Sequence, residues 1–68
     1  MKARCTHFDT QRGFGFLEPE GGGASIFVHR TLLGTERTEA LQVGEEVEVE
    51  VETTPRGPRA VWLERKGG

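Results

Sequence analysis

Helical periodicity is scarce in this chain of 68 residues, and so is everything that could stabilise a small protein from outside its core. One cysteine, Cys5, rules out an internal disulfide, and a lone thiol fits a reducing cytosol better than a secreted setting. The only Cys and His residues, Cys5, His7 and His29, lack the spacing of zinc ligands, so neither a metal nor another cofactor is expected. No apolar run approaches the length of a membrane span, and the first residues hold no apolar signal core. Starting at Met1, the chain is expected to be a complete cytoplasmic product that does not associate with membranes. Tyrosine is absent and tryptophan occurs once, at position 62. Apolar residues make up 34% of the chain, under the roughly 45–50% usual for globular proteins, so the core must be thin. Two histidines, a single inward cysteine and no paired carboxylates on a cleft-forming scaffold give no catalytic constellation. No catalytic residue is assigned, and the protein is not expected to be an enzyme.

A general excess of positive charge is missing too, since the net charge is −2. Its distribution is uneven. Residues 1–37 carry five basic and four acidic groups, 38–52 carry six acidic and no basic, and 53–68 carry four basic and one acidic. Such segregation leaves room for a locally positive surface on an acidic protein.

What the chain does hold is strand pattern. "EVEVEVE" (46–52) alternates strictly, placing Val47, Val49 and Val51 on one face. It ends at a turn in "TTPRGP", after which a last strand is expected to bury Val61 and Leu63 and to expose Ala60 and Trp62. "SIFVH" (25–29) is β-branched and aromatic and follows the glycine-rich "EGGGA" (20–24). "RGFGFLE" (12–18) and "ARCTHFD" (3–9) supply two more strands. In residues 30–43, "RTLL" suits one helical turn and the rest a long loop. With no repeat, linker or second domain, residues 1–68 read as one domain. Five short strands in so few residues point to an all-β fold, a five-stranded antiparallel barrel of the oligonucleotide-binding (OB) type.

Parity then separates core from surface. Ile26 and Val28 share one face, leaving Phe27 and His29 on the other. Leu17 lies opposite Phe14 and Phe16, on the side of Gly13 and Gly15, where a missing side chain suits a sharply bent strand. Cys5, Leu17, Ile26, Val28, the three valines of 47–51, Val61 and Leu63 fill a small barrel, with Leu33 and Leu41 plugging its ends. No phenylalanine is needed inside. Phe14, Phe16 and Phe27 therefore gather on an outward face, where an apolar cluster is costly and marks a contact surface. The plainer alternative is an apolar face covered by the 30–43 loop. Arg12 and Arg30 flank the rings, and Arg56 and Arg59 extend the basic track. Flat rings beside guanidinium groups suit unpaired nucleic-acid bases, which stack at about 1–3 kcal/mol each with little sequence demand.

These segments resemble the cold-shock domain family. "RGFGFL" (12–17) looks like that family's K-G-F-G-F-I motif, and "IFVH" (26–29) looks like V-F-V-H-F without its last phenylalanine. "LQVGEEVEVEV" (41–51) and "RGPRAVWL" (56–63) are similar to its L-x-E-G-x-x-V-x-F-x-I and R/K-G-P-Q-A-A-N-V. The resemblance implies a barrel that binds single-stranded RNA or DNA, often as an RNA chaperone or transcription antiterminator. Carried over by position, it makes Phe14, Phe16, Phe27 and His29 stacking residues, with His7 and Phe8 of "THFD" at the family's K-W-F-N. Three platforms depart from the pattern: His7 stands for tryptophan, Arg30 for phenylalanine and Thr38 for an aromatic. Asp9, in place of asparagine, adds a negative charge. The expected nucleic-acid-binding set is thus His7, Phe8, Arg12, Phe14, Phe16, Phe27, His29, Arg30 and Arg56. A monomer is expected, with a homodimer through Trp62 as the alternative. The competing function is a protein-interaction barrel whose nucleic-acid binding has weakened or been lost.

Overall fold

The computed structural model describes residues 1–33 and 40–65. It holds five strands: β1 (Lys2–Asp9), β2 (Phe14–Pro19), β3 (Ile26–His29), β4 (Glu46–Thr54) and β5 (Gly57–Arg65). A single 3-10 turn, Arg30–Leu33, follows β3 at the place read as a helical turn. The strands close into a barrel in the order β1-β2-β3-β5-β4, so the expected all-β, five-stranded barrel is what forms. One junction is not antiparallel: β3 meets β5 in parallel, with Phe27 opposite Arg59.

The alternation along β4 works as the sequence suggests. Val47 and Val49 are fully buried, Val51 is half-buried at the core's edge, and the intervening glutamates face outward. Ala3, Cys5, Leu17, Ile26, Val28, Leu33, Leu41 and Ala60 complete the buried core. No phenylalanine is among them. Burying a Val or Leu side chain contributes about 1.5–3 kcal/mol, so these small residues supply the principal driving force for closure. Burial also raises the Cys5 thiol pKa, outweighing its hydrogen bond to the His7 carbonyl, which makes it an inert core group.

The reading of β5 needs correction. Val61, expected inside, is 43% exposed, and Ala60, expected outside, is buried. The cause is an irregularity in the β4–β5 register: Glu50 faces Trp62 and Val51 faces Ala60, leaving Val61 as an extra residue. A bulge of this kind breaks strict alternation. Leu63, past it, packs half-buried on the core, and Trp62 is exposed as expected.

One ion pair ties the end of β5 to the loop before β4. Arg65 Nε and Nη2 donate to Glu45 Oε2 and Oε1 at 2.8 and 2.9 Å, and Nη2 also reaches the Ala40 carbonyl at 3.0 Å. The Gln42 N–H adds a bond to the same carboxylate at 3.1 Å. The Arg65 hydrogen bond is the main cause that holds the Glu45 carboxyl below the usual range. A depressed folded-state pKa stabilises the fold above the unfolded pKa, about 4.3 for glutamate, and this contribution is lost as pH falls through the folded value. Glu45→Gln is expected to cost about 1 kcal/mol in urea unfolding at pH 7. The gap to wild type should close below about pH 4; a gap constant from pH 7 to pH 3 would contradict this account.

Candidate functional site

The hairpin between β1 and β2 is set by Asp9, whose Oδ1 accepts the N–H groups of Gln11 and Arg12, both at 3.0 Å. The Gly13 N–H closes the turn on the Asp9 carbonyl at 2.7 Å. Gly13 has φ +79°, a left-handed conformation that a side chain disfavours. The Arg30 N–H donates to the Gly13 carbonyl at 2.8 Å. Its side-chain stem lies over Gly13 so closely that a Cβ there would stand 2.7 Å from Arg30 Cδ. Arg30 thus crosses the hairpin base with its side chain exposed. Asp9 offsets Arg12 at 4.0 Å as well as building the turn.

From this hairpin β2 presents Phe14 and Phe16 outward, alternating with buried Gly15 and Leu17. Pairing with β3 sets Phe16 opposite Phe27 and Phe14 opposite His29. The three rings form a mutual cluster with centroids 6.1, 5.6 and 6.0 Å apart, two contacts edge-to-face and Phe14–Phe27 tilted at 31°. All three are half-buried, which leaves part of each ring open to contact. Ring pairs at such spacing support one another by about 0.5–1.5 kcal/mol, so the platform is held before any ligand arrives.

A second register shift decides what β1 adds. Cys5 pairs with Leu17 and His7 with Phe16, so Thr6 is the extra residue. Its hydroxyl donates to the Phe16 carbonyl at 3.3 Å. Unbroken alternation from Cys5 would turn His7 inward; the bulge turns it out beside Phe16 and brings Phe8 opposite Gly15. His7 is exposed and joins the aromatic face. Phe8 does not: it packs half-buried against the core, over the space that Gly15 leaves empty.

At the other side the β4–β5 turn, "TPRG", brings up Arg56. Thr54 Oγ1 donates to the Gly57 carbonyl at 2.6 Å and accepts from the Arg56 N–H at 3.1 Å, which fixes the turn. A cleft of about 550 Å³ runs between this turn and the rings, lined by Phe16, Phe27, Pro55, Arg56, Pro58 and Arg59. Arg59 stands opposite Phe27 and ion-pairs with Glu52. The sequence reading put Arg59 on the basic track, and the parallel β3–β5 junction makes it a direct neighbour of a ring. Pro55 and Pro58 were not foreseen as part of the site; the "PRGP" signal marked only a turn. A smaller concavity of about 270 Å³, lined by Lys2, Arg4, Glu18, Glu20 and Glu46 among others, mixes charges and has no aromatic wall.

The structure therefore brings together Phe14, Phe16, Phe27, His29 and His7, with Arg30 and Arg12 at the hairpin and Arg56 at the far turn. Thr38 lies outside the described residues. Among the described residues no group of three or more His, Cys, Asp or Glu could hold a metal ion, and no helix is long and apolar enough to cross a membrane.

A closed five-stranded barrel with an outward cluster of rings bordered by arginines is the architecture of a small nucleic-acid-binding domain. Residues 1–65 match the "cold-shock" DNA-binding domain family, and the chain belongs to it. It is 42% identical over 56 residues to a probable cold shock protein A of Mycolicibacterium smegmatis, an alignment covering 82% of this chain and 84% of that protein. It is 43% identical over 60 residues to the cold shock-like protein CspE of Bacillus anthracis, covering 88% of each chain. A cold shock domain-containing protein 4 of Arabidopsis thaliana is 44% identical over 68 residues, where this chain spans 34% of the longer protein.

Gly15 is where the site and the barrel constrain each other. A Cβ there would collide with the His7 carbonyl oxygen and lie 2.5 Å from Phe8 Cδ2. Gly15→Ala is expected to lower stability by about 1–3 kcal/mol in thermal or urea unfolding. It should also displace the backbone amide signals of His7 and Phe8 more than those of β4. Unchanged stability would mean that the approach of β1 to β2 is looser than described.

Proposed function

We propose that this cold-shock domain binds single-stranded RNA or DNA by stacking bases on Phe14, Phe16, Phe27 and His29. His7 extends the platform, and Arg12, Arg30 and Arg56 attract the phosphates. The observation that carries the reading is the ring triangle on β2 and β3, half-open and bordered by arginine-lined concavity. Stacking on rings reads no particular base, so sequence preference is weak. Activity as an RNA chaperone or transcription antiterminator would follow from such binding, since a stacked strand cannot pair with another. Phe8, held against the core, takes no direct part. With histidine at position 7, arginine at 30 and threonine at 38, fewer full aromatic platforms remain than in a typical member, and binding is weaker.

The test is titration of labelled oligo-U and oligo-dT at low salt. Phe14→Ala and Phe27→Ala are each expected to reduce affinity at least about fivefold, given 1–3 kcal/mol per stacked base. Binding by the double variant that equals wild type would remove the proposal. Arg12 and Arg59 already face Asp9 and Glu52, so few cations are available for phosphate. The slope of log K against log salt should lie at roughly −1.4 to −3, as two to four phosphate contacts on a single strand give.

A protein-interaction role is favoured by a different observation: Val61 and Trp62, adjacent at the β5 bulge, are 43% and 44% exposed. For the nucleic-acid reading, Trp62→Ala should change oligonucleotide affinity less than twofold. A protein contact at this face would show as concentration-dependent sedimentation that Trp62→Ala abolishes.

A further inference from the structure

His29, like His7, brings a ring with polar edges to the platform, and for His29 the structure constrains which edge carries the proton. Its Nδ1 lies 3.2 Å from the Thr31 backbone nitrogen and 3.1 Å from Thr31 Oγ1. A hydroxyl can donate or accept, so it settles nothing alone. The backbone N–H can only donate. Two donors cannot face each other, so Nδ1 must offer its lone pair, and the proton of the neutral ring must sit on Nε2. The 3-10 turn that begins at Arg30 places the Thr31 N–H under the ring, so the assignment is built into the backbone rather than into a mobile side chain.

Nε2 is thereby a donor. It lies across the ring from Thr31, on an exposed side chain opposite Phe14, and no described residue accepts from it. Phe14, Phe16 and Phe27 offer a ligand flat apolar area and no hydrogen bond. His29 differs from all of them in presenting an oriented, uncharged N–H at the margin of the stack.

We propose that Thr31 is a positioning residue that locks His29 in the Nε2–H tautomer, so that the ring donates one hydrogen bond to an acceptor oxygen of the bound strand. The oxygen belongs either to a base carbonyl or to a phosphate; both present the same chemistry at that edge. The ligand half of the proposal rests on the nucleic-acid reading given above, while the tautomer half belongs to the free protein.

The two halves are tested separately. Long-range proton–nitrogen correlation spectra of the free protein, recorded near pH 8 where an ordinary imidazole is neutral, report the tautomer of each histidine. His29 is expected to show a single form with a bare Nδ1, while His7, whose ring makes no hydrogen bond to a described residue, serves as the unconstrained reference. Thr31→Pro removes the N–H and should shift His29 toward the tautomer mixture of His7. Thr31→Ala keeps the N–H and should leave the single form, which guards against a proline variant that fails to fold. A proton on Nδ1, or a mixture equal to that of His7 in wild type, overturns the lock.

For the ligand, oligo-U binding is compared for wild type, His29→Gln and His29→Phe. Phenylalanine keeps a stacking ring and loses the donor; glutamine keeps a donor near the Nε2 position. His29→Phe is expected to bind about three- to tenfold more weakly, the range of one net hydrogen bond, with His29→Gln keeping the preference among oligonucleotides that phenylalanine loses. A single methylphosphonate linkage scanned along the strand, and adenine in place of uracil, distinguish the oxygen. The substitution that penalises wild type but not His29→Phe identifies a phosphate in the first case and a base carbonyl in the second. Equal binding by His29→Phe and wild type on every strand overturns the hydrogen bond. Absence of binding by wild type overturns the ligand half together with the proposed function, and leaves the tautomer result standing.

Discussion

Everything on the functional face depends on how closely β1 passes over Gly15. With no side chain at that position, the His7 carbonyl and the Phe8 ring occupy space that even a methyl group would fill. The approach lets a barrel with ten small and medium apolar residues in its core close tightly. Alternation along β2 and β3 puts Phe14, Phe16 and Phe27 on the side away from that core. In a larger barrel such rings would be the natural core, and burial would favour it strongly. Here the inward side of both strands is taken by Gly15, Leu17, Ile26 and Val28, and the rings remain outside, where they support one another. The outward cluster of rings thus follows from which residues of β2 and β3 fill the barrel.

The same constraint explains what was legible in the sequence. Where pairing is regular, period-two alternation gives the correct side: Val47 and Val49 on β4, Leu17 on β2, and Ile26 and Val28 on β3 are all buried. The outward placement of three phenylalanines followed from those assignments. Alternation failed at Thr6 and at Val61, and at both positions one strand carries a residue that its partner does not match. A bulge leaves no signature in composition, because it is a property of two strands in register, and single-strand parity cannot see it. At Val61 the result was an exchange of Ala60 and Val61 between core and surface, while Leu63 and Trp62 beyond it lie as expected. At Thr6 strict alternation from the inward Cys5 would turn His7 inward too, and the bulge makes the strand inward at Cys5 and outward at His7, where the family resemblance puts a stacking residue. Phe8 moves inward by the same step, which a motif carried over by position had no means of revealing.

Charge placement answers how an acidic chain can belong to a family of nucleic-acid-binding domains. The glutamates of β4 point outward, away from the core, and Glu48 and Glu52 are engaged by the N-terminal amine and Arg59. Glu45 is committed to Arg65. The aromatic face itself carries no carboxylate on β2 between Phe14 and Leu17 or on β3, and Asp9, opposite Phe14, is occupied with its own turn. At physiological salt the Debye length is about 8 Å, so a strand lying on the rings responds to the arginines beside it more than to acids across the barrel. Net charge is a poor guide to a surface whose charges are segregated this way.

That segregation bears on Arg30, the sharpest departure from the family's pattern. An aromatic ring at this position would add area to the stack; arginine adds a planar cation instead, with its stem lying close over Gly13. The Arg30 side chain stays exposed at the hairpin end of the rings. It also offers a second flat surface for a base. On the proposed function, exchanging a ring for a guanidinium would move binding energy from stacking, which is insensitive to salt, to phosphate attraction, which is not. The Arg30→Phe variant should accordingly show a shallower salt dependence than wild type, and its advantage should grow as salt rises. A parallel shift of affinity at every salt concentration would mean that Arg30 serves only as a stacking surface.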